Sequence, residues 1–342
     1  MKRTFVVLLF LAITKPHLMA QTNNPQQYKY VFTVAKDGTG DYKYIQDAID
    51  AMRVFPLAPI TLYIKNGVYN EKIELPANNT DVTFIGQSVD KTIITFNDYS
   101  GRGKLNTFTS YTAKISGNRF MAENITFANS AGPVGQALAL YVDADKAVFK
   151  NCRFLGNQDT IYTGGENSRQ YFLDCFIEGT TDYIFGPATA VFQNCTIRSK
   201  ANSYITAAST TSGKKFGYVF LDCKILADSN VSKLYLGRPW RAFSKTVFIR
   251  CELPKQITPE GWNNWGNPEN EKTAYYAEYK NTGAGAGHTN RVNWSKQLTD
   301  KEAKEYTIEN IFAAANSVTV LESDWFQQIP TKPFEWPADK NK

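Results

Sequence analysis

Five segments of this chain repeat one short pattern: Val148-Phe-Lys-Asn-Cys152, Tyr171-Phe-Leu-Asp-Cys175, Val191-Phe-Gln-Asn-Cys195, Val219-Phe-Leu-Asp-Cys223 and Val247-Phe-Ile-Arg-Cys251. A weaker copy, Ala122-Glu-Asn-Ile125-Thr-Phe127, precedes them, and Val82-Thr-Phe84 stands earlier still. Each copy is a brief β-branched and aromatic run, the composition of a strand. The spacing between successive cysteines, 20 to 28 residues, is too short for a strand plus a crossover helix. Repeats of this length bury their apolar faces by stacking coil on coil. The pattern therefore predicts an all-β chain wound as a parallel β-helix, with Phe and Ile ladders inside and longer turns projecting from one side. Such a stack needs covered ends. Tyr44–Met52 has helical spacing and is expected to close one of them, and Leu298–Tyr306 reads as a second short capping helix with Thr299 or Asp300 at its N-cap.

The first 20 residues fall outside that repeat. Lys2 and Arg3 precede the apolar run Phe5–Ile13, and Leu18-Met19-Ala20 ends in a small residue, the order of a secretory signal peptide. Export, to the periplasm or the medium, is the expectation, with no membrane-spanning segment. Taking away Lys2, Arg3 and Lys15 lowers the formal charge from +6 to +3, too slight and too scattered a bias for a nucleic-acid partner. His288 is then the remaining histidine, in the run Gly283–His288, and neither a Gly-x-Ser-x-Gly elbow nor HExxH occurs. Histidine-based triads are thereby disfavoured. The Gly283–Gly287 run itself reads as a tight turn, since it lacks the setting of a phosphate loop. Domain boundaries are placed at 1–20 for the signal, 21–29 for a lead, 30–328 for the β-helix and 329–342 for a tail. Five cysteines in one slot of the repeat read as a core ladder, with Cys175 and Cys195 the candidate pair for a disulfide.

Gln136, Asp159 and Asp182 are spaced 23 residues apart, each seven residues after Asn129, Cys152 and Cys175. Equivalent positions of stacked coils lie about 4.8 Å apart, so an amide and two carboxylates are expected on one flank. Gln158 adjoins Asp159, and Arg238 follows the copy at Cys223 on the same flank. Asp143-Ala-Asp145 and Asp37–Asp41 could suggest calcium, but neither offers a full oxygen set, and both read as solvated turns. No metal and no cofactor are expected.

With these residues in place the sequence resembles the pectin methylesterase (pectinesterase) family. The resemblance runs from about Val34 to Phe312 and rests on Ala35–Asp41, Gly67-Val-Tyr-Asn-Glu71, Asn124-Ile-Thr-Phe127, Ala131-Gly-Pro133, Gln136–Leu140, Gln158-Asp-Thr160, Asp182-Tyr-Ile-Phe-Gly186, Leu236-Gly-Arg-Pro-Trp240 and Asn281–Gly287. It implies a right-handed parallel β-helix. It also implies a carboxylic ester hydrolase, most simply a monomer, that removes methyl groups from methyl-esterified homogalacturonan (pectin). Asp182 would be the nucleophile, Asp159 the general acid and base, and Gln136 and Gln158 the oxyanion donors, while Arg238 orients Asp182. Gln136, Tyr162, Phe185, Arg238 and Trp240 would contact the sugar. Tyr183, where the family usually has Phe, could alter those contacts. Trp262 and Trp265 could extend the groove or pack in the core.

Two carboxylates about 5 Å apart at an effective dielectric near 20 repel by roughly 3 kcal/mol, which separates their titrations by about two pKa units. Arg238 would decide the order, with Asp182 ionised and Asp159 protonated. Two other readings stay open at this level. One is a pectate lyase or polygalacturonase on the same fold; the other is a β-helix that binds polysaccharide without catalysis.

Overall fold

The computed structural model describes residues 28–287, 289–314 and 325–326. Between the two ends of the stack each strand pairs in parallel with the strand three places along the chain, which is the signature of coils wound around an axis. Ala147–Lys150 pairs with Arg169–Leu173, which pairs with Thr189–Gln193, then Tyr218–Leu221 and Lys245–Ile249. Three sheets result, one of eleven strands and two of seven. The chain is a right-handed parallel β-helix, the hand that parallel crossovers take almost without exception.

The repeat maps directly onto this frame. Its Phe residues form an interior ladder in which Phe149, Phe172, Phe192, Phe220 and Phe248 stack at successive ring separations of 4.9, 4.7, 4.6 and 4.3 Å. A second ladder, Ile94–Phe127–Phe154–Ile177–Ile197–Ile225, runs along one seven-stranded sheet. The Asn or Asp before four of the five cysteines, and before Ile125 in the weaker copy, has a structural cause. Asn124, Asn151, Asp174, Asn194 and Asp222 all have φ between 48° and 60°, the left-handed region that Asn and Asp enter most readily after Gly. They turn the corner between two sheets. Arg250 occupies the same corner at φ 53° and pairs with Asp222 of the coil below through two bonds of 2.7 Å.

The five cysteines are buried free thiols, so the ladder reading holds and the Cys175–Cys195 bridge does not form. Side chains stacked in register project parallel to one another, whereas a disulfide needs Cβ atoms that converge. Each thiol instead approaches a backbone carbonyl of the preceding coil, Cys175 to Phe149 O at 3.3 Å and Cys195 to Phe172 O at 3.4 Å.

The first helix, Ile45–Asp50, closes the N-terminal end. Ile45, Ala48 and Ile49 enter the core with Met52, and its first amides bond Glu71 Oε2 at 2.8 and 3.2 Å. The second predicted helix forms at Asp300–Ala303 with Thr299 as N-cap, in a capping box with Glu302. It does not close the other end. Leu298 and the following helix, Ile308–Ala314, pack through Ile311 and Phe312 on the outer face of the eleven-stranded sheet, against Val148, Tyr171 and Val191. At the C-terminal end of the stack Trp262 is buried against Phe248 and Tyr276, and Trp294 packs on Tyr276. Trp262 is therefore core and does not extend a groove.

Candidate active site

Asp159 and Asp182 occupy the corner that leads into the seven-stranded sheet containing Leu140–Val142, Ile161–Thr163, Ile184–Gly186 and Ser203–Ala208. Both are left-handed, with φ of 63° and 49°, so the fold asks for a short polar residue at each. Ile161 pairs with Ile184 two residues further on, which puts the two aspartates in the same slot of adjacent coils. Asp159 N bonds Thr181 O at 3.0 Å and Asp182 N bonds Tyr204 O at 2.9 Å. Their side chains are brought together as expected, and both residues are buried.

Gln136 departs from the row. Its register partner is Gln158, while Leu140 pairs with Ile161. Four steps on one coil thus face three on the next, and the extra residue appears as a bulge: Ala139 N and Leu140 N both bond Thr160 O, at 2.9 and 3.1 Å. The equal spacing from Gln136 to Asp159 is therefore not a register. Nor is Asn129 the counterpart of Cys152, because Thr126 pairs with Arg153 and so sets Ile125 in that slot. The bulge makes the two glutamines neighbours. Both are half-buried, and among the described residues neither side-chain amide is bonded to another protein group, which leaves four N–H donors for a ligand.

Arg238 holds Asp182 in a two-point grip, Nε to Oδ1 at 3.0 Å and Nη2 to Oδ2 at 2.6 Å. The guanidinium lies between two rings, 4.0 Å from the centre of Tyr204 and 3.7 Å from that of Trp265. Trp265 belongs to the loop after Trp262, and Asn263 Oδ1 accepts from its amide at 2.8 Å. Burial pushes the Asp159 carboxyl up to about 8, with the charge of Asp182 adding to the effect and Arg238 opposing it. Burial raises Asp182 as well, but its bonds to Arg238 pull the other way. The proton thus resides on Asp159. Charge repulsion, the cause inferred from spacing, is secondary to desolvation.

The outward residues of the same sheet form an aromatic row. Lys114, Tyr141, Tyr162, Phe185 and Ala207 align in successive coils, and Trp240 meets Phe185 at 5.7 Å between ring centres. Tyr162, Phe185 and Trp240 were expected here; Tyr141, Tyr111 and Tyr204 were not singled out, although Tyr141 is the register mate of Tyr162. Tyr183 points the other way. It is fully buried, bonded to Ser199 Oγ at 2.7 Å, so its hydroxyl cannot touch a sugar in the groove.

The acidic turns are occupied by structure. Arg169 bonds both oxygens of Asp145, at 2.9 and 2.7 Å, and Asp37 Oδ1 accepts from Thr39 at 2.9 and 2.6 Å. Gly285 packs so closely on Pro254 that a Cβ would lie 2.1 Å from its carbonyl oxygen, a tight turn. His288 and the segment 1–20 lie outside the described residues.

In sequence and in fold the chain is similar to known proteins. The Pectinesterase family profile matches residues 31–315. Pectinesterase 31 of Arabidopsis thaliana is 39% identical over 284 residues, covering 80% of this chain and 89% of its own length. Probable pectinesterase/pectinesterase inhibitor 23 of the same plant is 41% identical over 305 residues, covering 85% of this chain but 53% of itself. This chain therefore spans about half the length of relatives bearing that double name. Among solved structures, the pectin methylesterase from carrot superposes with a TM-score of 0.79 at 36% identity, covering 83% of this chain and 93% of the other. The pectin methylesterase PemA from Erwinia chrysanthemi gives 0.71 at 30%, with 83% and 97% covered. On its sequence and its fold, the chain belongs to the pectinesterase family.

Proposed function

We propose that this enzyme removes methyl groups from methyl-esterified homogalacturonan, releasing methanol and leaving galacturonate. The observation that carries the reading is the asymmetry of two stacked aspartates, one gripped by Arg238 and the other buried and proton-bearing. Asp182 carboxylate attacks the ester carbonyl carbon, and the carbonyl π pair moves onto oxygen. Gln136 and Gln158 donate side-chain N–H groups to that oxyanion. On collapse the C–O bond to the methoxy group breaks, Asp159 gives it a proton, and methanol leaves an acyl-enzyme anhydride on Asp182. Asp159, now a carboxylate, takes a proton from water as the water oxygen attacks the anhydride carbonyl. The product leaves as the acid and loses its proton to solvent, Asp182 is restored as the carboxylate, and Asp159 again holds its proton. Tyr162, Phe185 and Trp240 supply ring faces for the pyranose units.

The same proposal takes the enzyme to work as a monomer outside the producing cell, exported by the segment 1–20 and carrying one catalytic domain over 30–328. Paired amide donors suit an acyl oxyanion, which favours ester hydrolysis over lyase or glycosidase chemistry on this fold. The test is methanol release from highly methyl-esterified pectin by the wild type and Asp182→Asn, with chain cleavage followed in parallel. Methanol from the wild type and none from the variant is expected. Chain cleavage without methanol would overturn the reading, and so would an Asp182→Asn protein that retains full activity.

A further inference from the structure

Several half-buried lysines of this chain hold carboxylates. Lys72 reaches Asp98 at 2.7 Å, Lys114 reaches Glu74 at 2.6 Å, Lys150 reaches Glu123 at 3.3 Å and Lys200 reaches Glu178 at 3.2 Å. Lys245 is half-buried too and breaks the pattern. It opens the strand Lys245–Ile249 of the eleven-stranded sheet, in register with Tyr275, and its Nζ lies 5.3 Å from the centre of the Tyr275 ring. Its charged neighbour is a second lysine. Lys296, on the last strand of the same sheet, lies 4.7 Å from the centre of that same ring. Among the described residues neither ammonium has a carboxylate partner. Burial first, and the charge of Lys296 second, lower the proton affinity of Lys245.

The acids around them are committed elsewhere. Glu302 feels the charge of Lys296, but its Oε2 accepts from the Thr299 amide and hydroxyl, each at 2.8 Å. Glu305 is held by Lys215 at 3.2 Å. Tyr275 and Tyr306 border one apolar patch with Phe216 on the outer face of the sheet, and Tyr306 meets Phe216 at 5.2 Å between ring centres. Two ammonium groups over one ring repel each other at a partly desolvated surface, and an anion between them removes that cost. This face is not the catalytic one. Lys245 and Tyr275 belong to the eleven-stranded sheet, whereas Asp159 and Asp182 lead into a seven-stranded one, so both surfaces can be occupied at once.

We infer that Lys245, Lys296 and the Tyr275 ring form a second binding site, remote from the catalytic groove, for the carboxylates of an acidic saccharide. The saccharide it fits is demethylated homogalacturonan, a choice that rests on the ester hydrolase reading above. A uronate places its carboxylate between the two ammonium groups and its pyranose body against the neighbouring aromatic surface. A neutral ester gives the lysines nothing to hold. Bound at this outer face, a demethylated stretch tethers the enzyme, and the groove then meets esters on the same or an adjoining chain at a raised effective concentration. A short ester that fills the groove alone gains nothing from the tether.

The experiment reads two quantities: retention of the full chain in native gels containing polygalacturonate, and methanol release from a short methyl-esterified oligomer. Lys245→Gln with Lys296→Gln is expected to weaken retention roughly fivefold at low salt, the scale of an exposed ion pair, and to leave kcat/KM on the short ester unchanged. Lys245→Arg with Lys296→Arg keeps the retention, and high salt erodes it. Lys43→Gln with Lys91→Gln removes the same charge from two exposed positions elsewhere and should retain the wild-type behaviour. The inference is overturned if the Lys245 and Lys296 pair can be changed to Gln without loss of retention. It is overturned equally if the Lys43 and Lys91 pair loses as much, since net charge alone would then explain the effect. Release from the gel by inorganic phosphate, beyond that by chloride at the same ionic strength, would make a free anion the ligand and overturn the saccharide assignment. Absence of methanol from every ester would instead refute the hydrolase reading, which the retention measurement does not use.

Discussion

Replacing Asp159 by Asn separates what this side chain does for catalysis from what it does to the fold. Its carboxyl stands at about 8 in the native state against 3.8 in a free chain, through burial first and Asp182 second. A native value above the unfolded one means that the folded protein keeps a proton the unfolded chain has already lost. Stability therefore declines as pH rises between roughly 4 and 8, by about 1.4 kcal/mol per unit. At pH 7 a little over three units of that interval have been crossed, so Asp159 costs the fold on the order of 4 kcal/mol. Asparagine has the same shape, no titration, and the same tolerance of φ 63°. Asp159→Asn should thus be more stable than the wild type by about 2–4 kcal/mol at pH 7 and by close to nothing at pH 4, while releasing no methanol. Equilibrium urea unfolding of both proteins at the two pH values, with matching m-values, reads this directly. A stability difference that is the same at pH 4 and pH 7 would refute the burial argument, whatever happens to activity.

Gln136→Ala should lower kcat on methyl-esterified pectin by about 10²–10³ with KM little changed, because the amide serves the oxyanion more than the ground state; steady-state methanol release measures it. Phe192→Ala, in the middle of the ring ladder with neighbours at 4.7 and 4.6 Å, should cost about 3–5 kcal/mol in urea unfolding.

The coils were legible because side-chain parity and the corner residue repeat together. Phe followed two places later by Asn or Asp states both an interior position and a left-handed turn, and that pair recurs from Phe149 to Asp222. The aspartate stack was legible for the same reason, since no residue is inserted between Asp159 and Asp182 relative to the frame. Gln136 was misplaced because a spacing count cannot see a bulge. The extra residue between Gln136 and Leu140 changes the register without altering the equal intervals. Trp262 and Trp265 stand three residues apart in a loop that carries no period, and one is core while the other supports Arg238. Only three-dimensional contacts separate them. The helix Ile308–Ala314 was not read from the sequence at all, and that it covers a sheet face and not the open end depends on where the preceding turns aim the chain. The relative weight of burial and repulsion on Asp159 was likewise illegible, because exposure is a property of the packed site.

The left-handed backbone at the two aspartates has a practical consequence for how their roles are dissected. At φ 63° and 49° alanine carries a steric penalty of about 1–2 kcal/mol that asparagine largely escapes. An alanine scan of this site therefore mixes two losses, the carboxylate and the ease of the turn. A weakened Asp182→Ala protein could owe part of its defect to a strained corner that also displaces Arg238. Asparagine changes the chemistry alone, and the difference between the two variants measures how much of the enzyme's function is carried by the bend in its main chain.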